Sequence, residues 1–288
     1  MITLNPPAKI NWSLYVLGKR DDDYHEIISL MQRISLYDTI TIEKSSVIEL
    51  NSEMDIPAEQ NLVFKAAMAL RKAADTSQGA TIYLKKEIPS GAGLGGGSSD
   101  AAFALKGLNS LWGLNWETDR LQQIGASLGS DVPFFFDGPA ALIRGRGDKL
   151  IPAHMTAGLT LLIVKPEAPI PTSWAYRQLA DYRSAESTIP DLTNIDKKLN
   201  NIKLIIGALN EGQLSLIRPL LHNDFERIAI EMHPVIGDLR EKFYAAGAYA
   251  ALLSGSGSAM FGLFEDRKSA DRASRLFSAC WNRVVDTL

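Results

Sequence analysis

An α+β fold in two domains is predicted by three features of this sequence. Its 288 residues are 46% hydrophobic, enough for a sizeable core at a length where single cores give way to separate ones. Strand-like and helix-like stretches mix without the regular β-α-β rhythm of a doubly wound sheet. Past "AALIRGRGDKLIPAHMTAG" the hydrophobic register changes. The seam is therefore set near residues 153–158, with one domain over residues 1–155 and a second over 156–288.

The elements follow in order. "AKINWSLYVLG" alternates strictly, so Lys9, Asn11, Ser13 and Tyr15 share one face of a strand and Ile10, Trp12, Leu14 and Val16 the other. "ISLYDTITIEK" reads as a further strand, with "SSVIELNS" as its partner. From Asn61, the spacing of Leu62, Ala66, Leu70 and Ala73 predicts a helix. "ATIYLKKEIP" alternates again, and Pro89 ends it. Ala101, Leu105, Leu108 and Trp112 mark an amphipathic helix beginning at Asp100, and Asp119 to Leu128 another, closed by Gly129. "LTLLIVKP" is a short apolar strand, and Ser173 to Leu179 a helix. Residues 181–201 are polar and aperiodic, an exposed excursion or short helices. Helical patterns then run to Gly247. "AYAALLSGSGSAMFGLFED" gives two strands around a Ser/Gly turn, and "KSADRASRLFSACW" a last helix.

Composition narrows the chemistry. A net charge of −3 offers no broad attraction to nucleic acid or acidic membranes. One cysteine, Cys280, excludes an internal disulfide and a cysteine-based zinc cluster. The four histidines are scattered, with no H-E-x-x-H spacing. No stretch approaches the roughly 20 apolar residues of a membrane helix, and the N-terminus lacks a basic stretch followed by an apolar run. A soluble cytoplasmic protein is expected, with neither nucleic acid nor membrane as partner.

The chemistry concentrates in "KKEIPSGAGLGGGSSDAAFALKGL", residues 85 to 108. Gly91 to Gly96 fits G-x-G-x-x-G, but the preceding strand has a polar face (Tyr83, Lys85, Glu87) where a dinucleotide fold needs one buried on both sides. No strand ending in an acidic residue follows the helix. A Walker loop fails too, because no Gly-Lys-Ser/Thr follows the glycines, and the H-R-D and D-F-G strings of protein kinases are missing. What remains is the physics shared by phosphate loops. Glycines turn backbone N–H groups towards an anion, and Ser98, Ser99 and Asp100 start a helix whose amino end is partly positive. Ser98 or Ser99 is expected to cap that helix or touch a phosphate or a magnesium ion.

Over its whole length, "PSGAGLGGGSSDA" (Pro89 to Ala101) resembles the P-x-x-x-G-L-G-G-G-S-S-D-A loop of the GHMP kinases, small-molecule kinases named for galactose, homoserine, mevalonate and phosphomevalonate. Two further family features stand in the right order: "PAKIN" at Pro7 to Asn11, and the glycine loop "LSGSGSA" at Leu253 to Ala259. The resemblance runs from Pro7 to about Phe264. "DYHE" (Asp23 to Glu26) and "GSDVPFFF" (Gly129 to Phe136) narrow it to a kinase whose acceptor carries cytidine diphosphate. Two positions depart from the pattern: Asp23 stands where glycine is usual, and Ser130 where alanine is.

The resemblance implies a ribosomal-protein-S5-like N-terminal domain, a ferredoxin-like C-terminal domain and an active site in the cleft between them. It implies transfer of the γ-phosphoryl group of ATP, with Mg2+, to an alcohol. Pro89, Ser90, Gly91, Ala92, Gly93, Leu94, Gly95, Gly96, Gly97, Ser98 and Ser99 would cradle ATP, with Asn61 near the adenine unless it serves only as a helix cap. No magnesium ligand is identified. Asp131, between a helix end and an apolar run, is the expected base, and Lys9 the cation beside it. Asn11 would hydrogen-bond the acceptor. Tyr24 and His25 would hold the cytosine, with Tyr176 as a second stacking ring. Ser254, Gly255, Ser256 and Gly257 are expected near acceptor phosphates or the catalytic carboxylate.

Overall fold

The computed structural model describes residues 1–21, 24–54, 56–185 and 194–288. Asp23 lies outside the described residues, as does part of the polar 181–201 stretch. In chain order the elements are β1 (Ile2–Leu4), β2 (Pro7–Lys19), β3 (His25–Tyr37), β4 (Thr39–Ser45), β5 (Ile48–Ser52), α1 (Leu62–Ala73), β6 (Gly79–Lys85), α2 (Gly96–Leu111), α3 (Thr118–Leu128), β7 (Ala140–Arg144) and β8 (Lys149–Pro152). There follow β9 (Thr160–Lys165), α4 (Thr172–Ala185), α5 (Ile195–Asn210), β10 (His222–Asn223), α6 (Glu226–Met232), α7 (Pro234–Ala245), β11 (Ala250–Leu253), β12 (Met260–Leu263), α8 (Arg267–Ser274) and β13 (Trp281–Asp286). The expected α+β class holds. No helix among the described residues is long and apolar enough to cross a membrane.

Two compact units form. The first comprises Met1–Ala8, Leu36–Ser90 and Gly95–Pro139. Its sheet has the order β1-β4-β6-β5, and α1 and α2 supply core residues such as Val63, Leu70, Leu105 and Leu108. "SSVIELNS" was expected to pair with the strand before it. Instead β6 lies between them, antiparallel to β4 and parallel to β5. Gly79 permits this: a Cβ there would collide with the backbone of Val47, so the chain crosses the end of β6 only because that position is bare. "ISLYDTITIEK" is likewise not one strand. It breaks at Asp38, which is fully buried and binds backbone elsewhere.

The helix after the glycines also differs from the expectation. It begins at Gly96, four residues before Asp100, and Gly95 is its N-cap in the left-handed region at φ 71°. Ser99 N donates to Gly95 O at 2.9 Å, so Ser98 and Ser99 lie within the first turn and neither caps it. Glycine weakens a helix by about 1 kcal/mol, which is why the pattern disfavoured this start. Packing reverses the preference: a Cβ on Gly96 would sit 2.9 Å from Ile88 Cγ2.

The second unit comprises Lys9–Ser35, Gly91–Leu94 and Ala140–Leu288. It holds one sheet of order β11-β12-β9-β13 and most of another of order β10-β2-β3-β7-β8. The predicted pairing of β11 with β12 around the Ser/Gly turn is present. The C-terminal strand β13, antiparallel to β9, went unread. It is a half-exposed edge with only Val285 fully buried, too weak an alternation to stand out.

Candidate active site

The first unit carries one group of candidate residues around the start of α2. At 16 residues this helix is long enough to present a partly positive N-terminus. Gly97 is exposed and Ser98 half-buried there. Leu62, the first residue of α1, lies beside Gly97, and Asn61 caps α1 with its Oδ1 accepting from Val63 N at 2.9 Å. Asn61 therefore spends its side-chain oxygen on the cap.

Asp131 is also in this unit. α3 ends at Leu128, and a 3-10 turn occupies Pro133–Phe135. The apolar run behaves as an anchor: Val132, Phe134 and Phe135 are at most 1% exposed. Drawing them into the core leaves Asp131, one residue earlier, half-buried at the surface. Gly125 makes room for Val132 beneath it, and Lys106 Nζ donates to Phe135 O at 2.8 Å and Phe136 O at 3.0 Å. Ser98 Oγ lies 3.9 Å from where a Cβ on Gly129 would be, so the loop serine and the Asp131 turn are neighbours.

At the base of the glycine loop, Lys86 contacts two buried carboxylates. Its ammonium meets Asp38 Oδ2 and, at 2.6 Å, Asp100 Oδ2. Burial raises the Asp100 carboxyl to about 7, against the pull of the Lys86 charge and assisted by the nearby Asp38 carboxylate. Between the unfolded value near 4 and about 7, the folded chain holds the extra proton, so this group makes stability fall as pH rises. The unfolding free energy of Asp100→Asn relative to the unmodified chain should therefore rise by about 2–3 kcal/mol from pH 5 to pH 8. Urea titrations at the two pH values check this; a constant gap contradicts it.

The second unit carries its own group of candidate residues around Lys9. The side chain is buried (2% exposed) and its Nζ donates to Asn11 Oδ1 at 2.6 Å. Asn11 Nδ2 donates to Ser29 Oγ at 2.8 Å, and Ser29 Oγ to Ser13 O at 2.6 Å. Lys9 and Asn11, two residues of the face predicted from alternation, thus join a buried hydrogen-bonded chain that runs through Ser29 to the Ser13 carbonyl. Lys9 N donates to Leu94 O at 2.9 Å, which brings the Gly91–Leu94 stretch to the strand.

The late glycine loop closes on the same place. Ser254 Oγ donates to Gly93 O at 3.0 Å, and Ala259 N to Ala92 O at 3.1 Å. A Cβ on Gly93, whose φ is +76°, would collide with Ser254 O; one on Gly255 would lie 3.3 Å from Lys9 Nζ. These glycines are required by close approach, not by turning alone. Asn223, which sequence reasoning missed, props the loop by donating to Leu253 O and Gly255 O, each at 2.8 Å. Ser256 Oγ pairs with Thr172 Oγ1 at 2.9 Å.

A ring platform occupies the same unit. The His25 and Tyr176 rings are 4.6 Å apart, and Phe225 backs Tyr176 at 4.8 Å. Burial, then the Lys19 and Arg183 charges, holds the His25 imidazole below its ordinary value, so it is neutral at pH 7 with one donor and one acceptor nitrogen. Tyr24 is 48% exposed, and the Arg146 guanidinium stands 4.8 Å from its ring centre. Neither Arg146 nor Phe225 was singled out from sequence. Asp224, in the same unit, faces His222 and Arg183. Burial would raise its carboxyl, but hydrogen bonds from His222 and Val16 N, with the Arg183 charge, outweigh that and hold it low. It ties β2 to α4 through Val16 N at 2.6 Å and Arg183 Nη2 at 2.8 Å.

The chain is similar to known proteins over its whole length. A family model described as the GHMP kinases N terminal domain matches residues 61–139, and one described as GHMP kinases C terminal matches residues 205–283. A 4-diphosphocytidyl-2-C-methyl-D-erythritol kinase of Thermodesulfovibrio yellowstonii is 46% identical over 288 residues, covering 100% of this chain and 98% of the relative. The Alkaliphilus metalliredigens kinase of the same name is 38% identical, covering 98% and 94%. A crystal structure of a 4-(cytidine 5'-diphospho)-2C-methyl-D-erythritol kinase superposes with a TM-score of 0.83 at 33% identity, covering 99% of each chain. A homoserine kinase from Cytophaga hutchinsonii shares the fold, with a TM-score of 0.75 at 20% identity over 100% of this chain and 94% of its own.

Proposed function

This chain belongs to the GHMP kinases, and on that premise we propose that it phosphorylates the 2-hydroxyl of 4-diphosphocytidyl-2-C-methyl-D-erythritol with ATP, a step in isoprenoid precursor synthesis. The observation that carries the reading is the convergence on Lys9 of both glycine loops: Gly93 and Gly255 each come within contact of the other or of the Lys9 ammonium. Glycine loops around a buried cation suit phosphate groups, and the His25–Tyr176 pair of the same unit suits a nucleobase. The 46% identity over the full chain supports the cytidyl acceptor in particular.

The roles follow from chemistry. The acceptor oxygen attacks the γ-phosphorus as the bond to the β-phosphate oxygen breaks and ADP leaves; the hydroxyl proton passes to the Asp131 carboxylate. Lys9 balances the charge spreading over the transferred group. The amino end of α2 and the Gly95–Gly97 backbone hold the triphosphate, and Asn11 steadies the acceptor. Ser254 to Gly257 add backbone donors for the acceptor's phosphates.

No cluster of three metal-ligating side chains exists among the described residues. That fits Mg2+ carried on the nucleotide, which needs few protein ligands beyond the phosphates. Ser98, beside Gly129 in the turn that leads to Asp131, is the hydroxyl suited to reach it. Bound there, the ion would neutralise charge on the β- and γ-phosphates.

The purified chain with ATP, magnesium and the cytidyl acceptor is expected to release ADP. ADP formed only with homoserine or mevalonate would replace the acceptor assignment, and no ADP with any of them would remove the kinase reading. The ring platform makes a narrower prediction. Tyr176→Leu should raise the KM for the cytidyl acceptor about tenfold, the loss of about 1–3 kcal/mol of stacking, with the KM for ATP unchanged. An unchanged acceptor KM contradicts the platform role.

A further inference from the structure

Lys86 belongs to none of the roles above, yet its surroundings are among the most constrained in the first unit. The glycine loop leaves β6 at Lys85 and enters α2 at Gly96. At the exit, Asp38 is fully buried, and its Oδ1 accepts from Glu87 N at 2.6 Å and Ile88 N at 2.8 Å. Its other oxygen meets Lys86 Nζ. At the entry, Asp100 is 2% exposed and its Oδ2 accepts from the same ammonium at 2.6 Å. Lys86 is itself only 14% exposed as a side chain. One cation therefore binds a carboxylate at each end of the loop.

The neighbouring glycine belongs to the same arrangement. A Cβ on Gly96 would stand 3.2 Å from Lys86 Nζ and 2.9 Å from Ile88 Cγ2, so the first residue of the helix is bare where the lysine passes. Between the clipped ends the chain has three left-handed glycines, Gly91, Gly93 and Gly95. Such residues lose the most conformational freedom when ordered, about 1–2 kcal/mol each. A loop whose ends are held apart at a fixed span has less to lose when it closes on a ligand.

We propose that Lys86 is a positioning residue for ATP, clipping the Asp38 and Asp100 ends of the Glu87–Gly95 loop so that its backbone N–H groups are preorganised for the triphosphate. This rests on the reading of that segment as a phosphate loop. It assigns Asp100 a purpose within the glycine motif that differs from anion contact: the carboxylate faces the lysine, not the ligand. The side chains of Glu87 and Lys85, the adjacent charged residues, pair with each other at the surface and take no part.

Asp100→Asn leaves Lys86 only a neutral amide oxygen in place of that carboxylate and retains the Lys86–Asp38 pair; Lys86→Met removes both. Hydrogen exchange, calorimetric ATP binding without acceptor, and steady-state kinetics are read on each. The expected result is amide exchange at least about tenfold faster in peptides spanning residues 87–97, with β9 and α7 peptides unchanged. ATP affinity should fall about tenfold in Asp100→Asn, equivalent to about 1.4 kcal/mol, while kcat at saturating ATP and the acceptor KM stay within about threefold. Unchanged exchange and ATP affinity in Asp100→Asn would overturn the clip, as would equal losses of ATP and acceptor affinity with exchange raised throughout the unit. Failure of the unmodified chain to bind ATP would remove the phosphate-loop reading instead, and the exchange data would still report whether the clip orders the loop.

Discussion

Asp131→Asn is expected to lower turnover about 10³-fold while ATP binding stays within a factor of about two, because general base catalysis contributes about 10²–10⁴. The substitution is nearly isosteric. The turn that presents residue 131 is held by Val132, Phe134 and Phe135 in the core and by Lys106 on the carbonyls of Phe135 and Phe136. These contacts are made by neighbouring residues and survive the substitution, so the asparagine should keep the same turn without accepting the hydroxyl proton. The glycine loop and the α2 amino end are likewise untouched, which is why nucleotide binding should persist. Single-turnover phosphoryl transfer measured beside calorimetric ATP titration separates the two quantities. Turnover within tenfold of the unmodified chain would remove Asp131 as the base.

Lys9→Met should cost about 10²–10³ in kcat, the scale of losing one preorganised group that stabilises developing charge. Here stability gives a second reading. A fully buried ammonium has a large desolvation penalty, which an apolar side chain of similar length removes together with the bonds the ammonium makes. Lys9 is 2% exposed and donates to Asn11 Oδ1, so the lost bond offsets the desolvation gain, and the variant should melt close to the unmodified chain while its activity collapses. A lowered melting point with only proportionate loss of activity would make Lys9 a structural residue.

Much of this site was legible because it lies in contiguous sequence. The glycine loop announces flexible backbone and exposed N–H groups within a dozen residues, and strict alternation placed Lys9, Asn11 and Ser13 on one face before any coordinates. The hairpin of β11 and β12 was readable for the same reason. What escaped depends on partners far apart in the chain. Asp38 and Lys86 are 48 residues apart, and Val16 and Asp224 are 208 apart; neither pair leaves a local pattern. The break at Asp38 was hidden because the residues either side of it alternate as one strand would. The early start of α2 was hidden by the low helix propensity of glycine, which close packing against Ile88 and Lys86 overrides. Asn223 looked like any polar residue in a stretch read as helical, and only the folded loop shows that it braces two carbonyls.

The most direct measurement follows the phosphorus itself. The chain is incubated with ATP labelled at the γ-phosphate and 4-diphosphocytidyl-2-C-methyl-D-erythritol, and the products are read by ³¹P NMR. The account predicts one label per ADP formed, carried as a monophosphate ester on the 2-hydroxyl of the acceptor. Label released as inorganic phosphate, or an acceptor recovered unmodified, would contradict it.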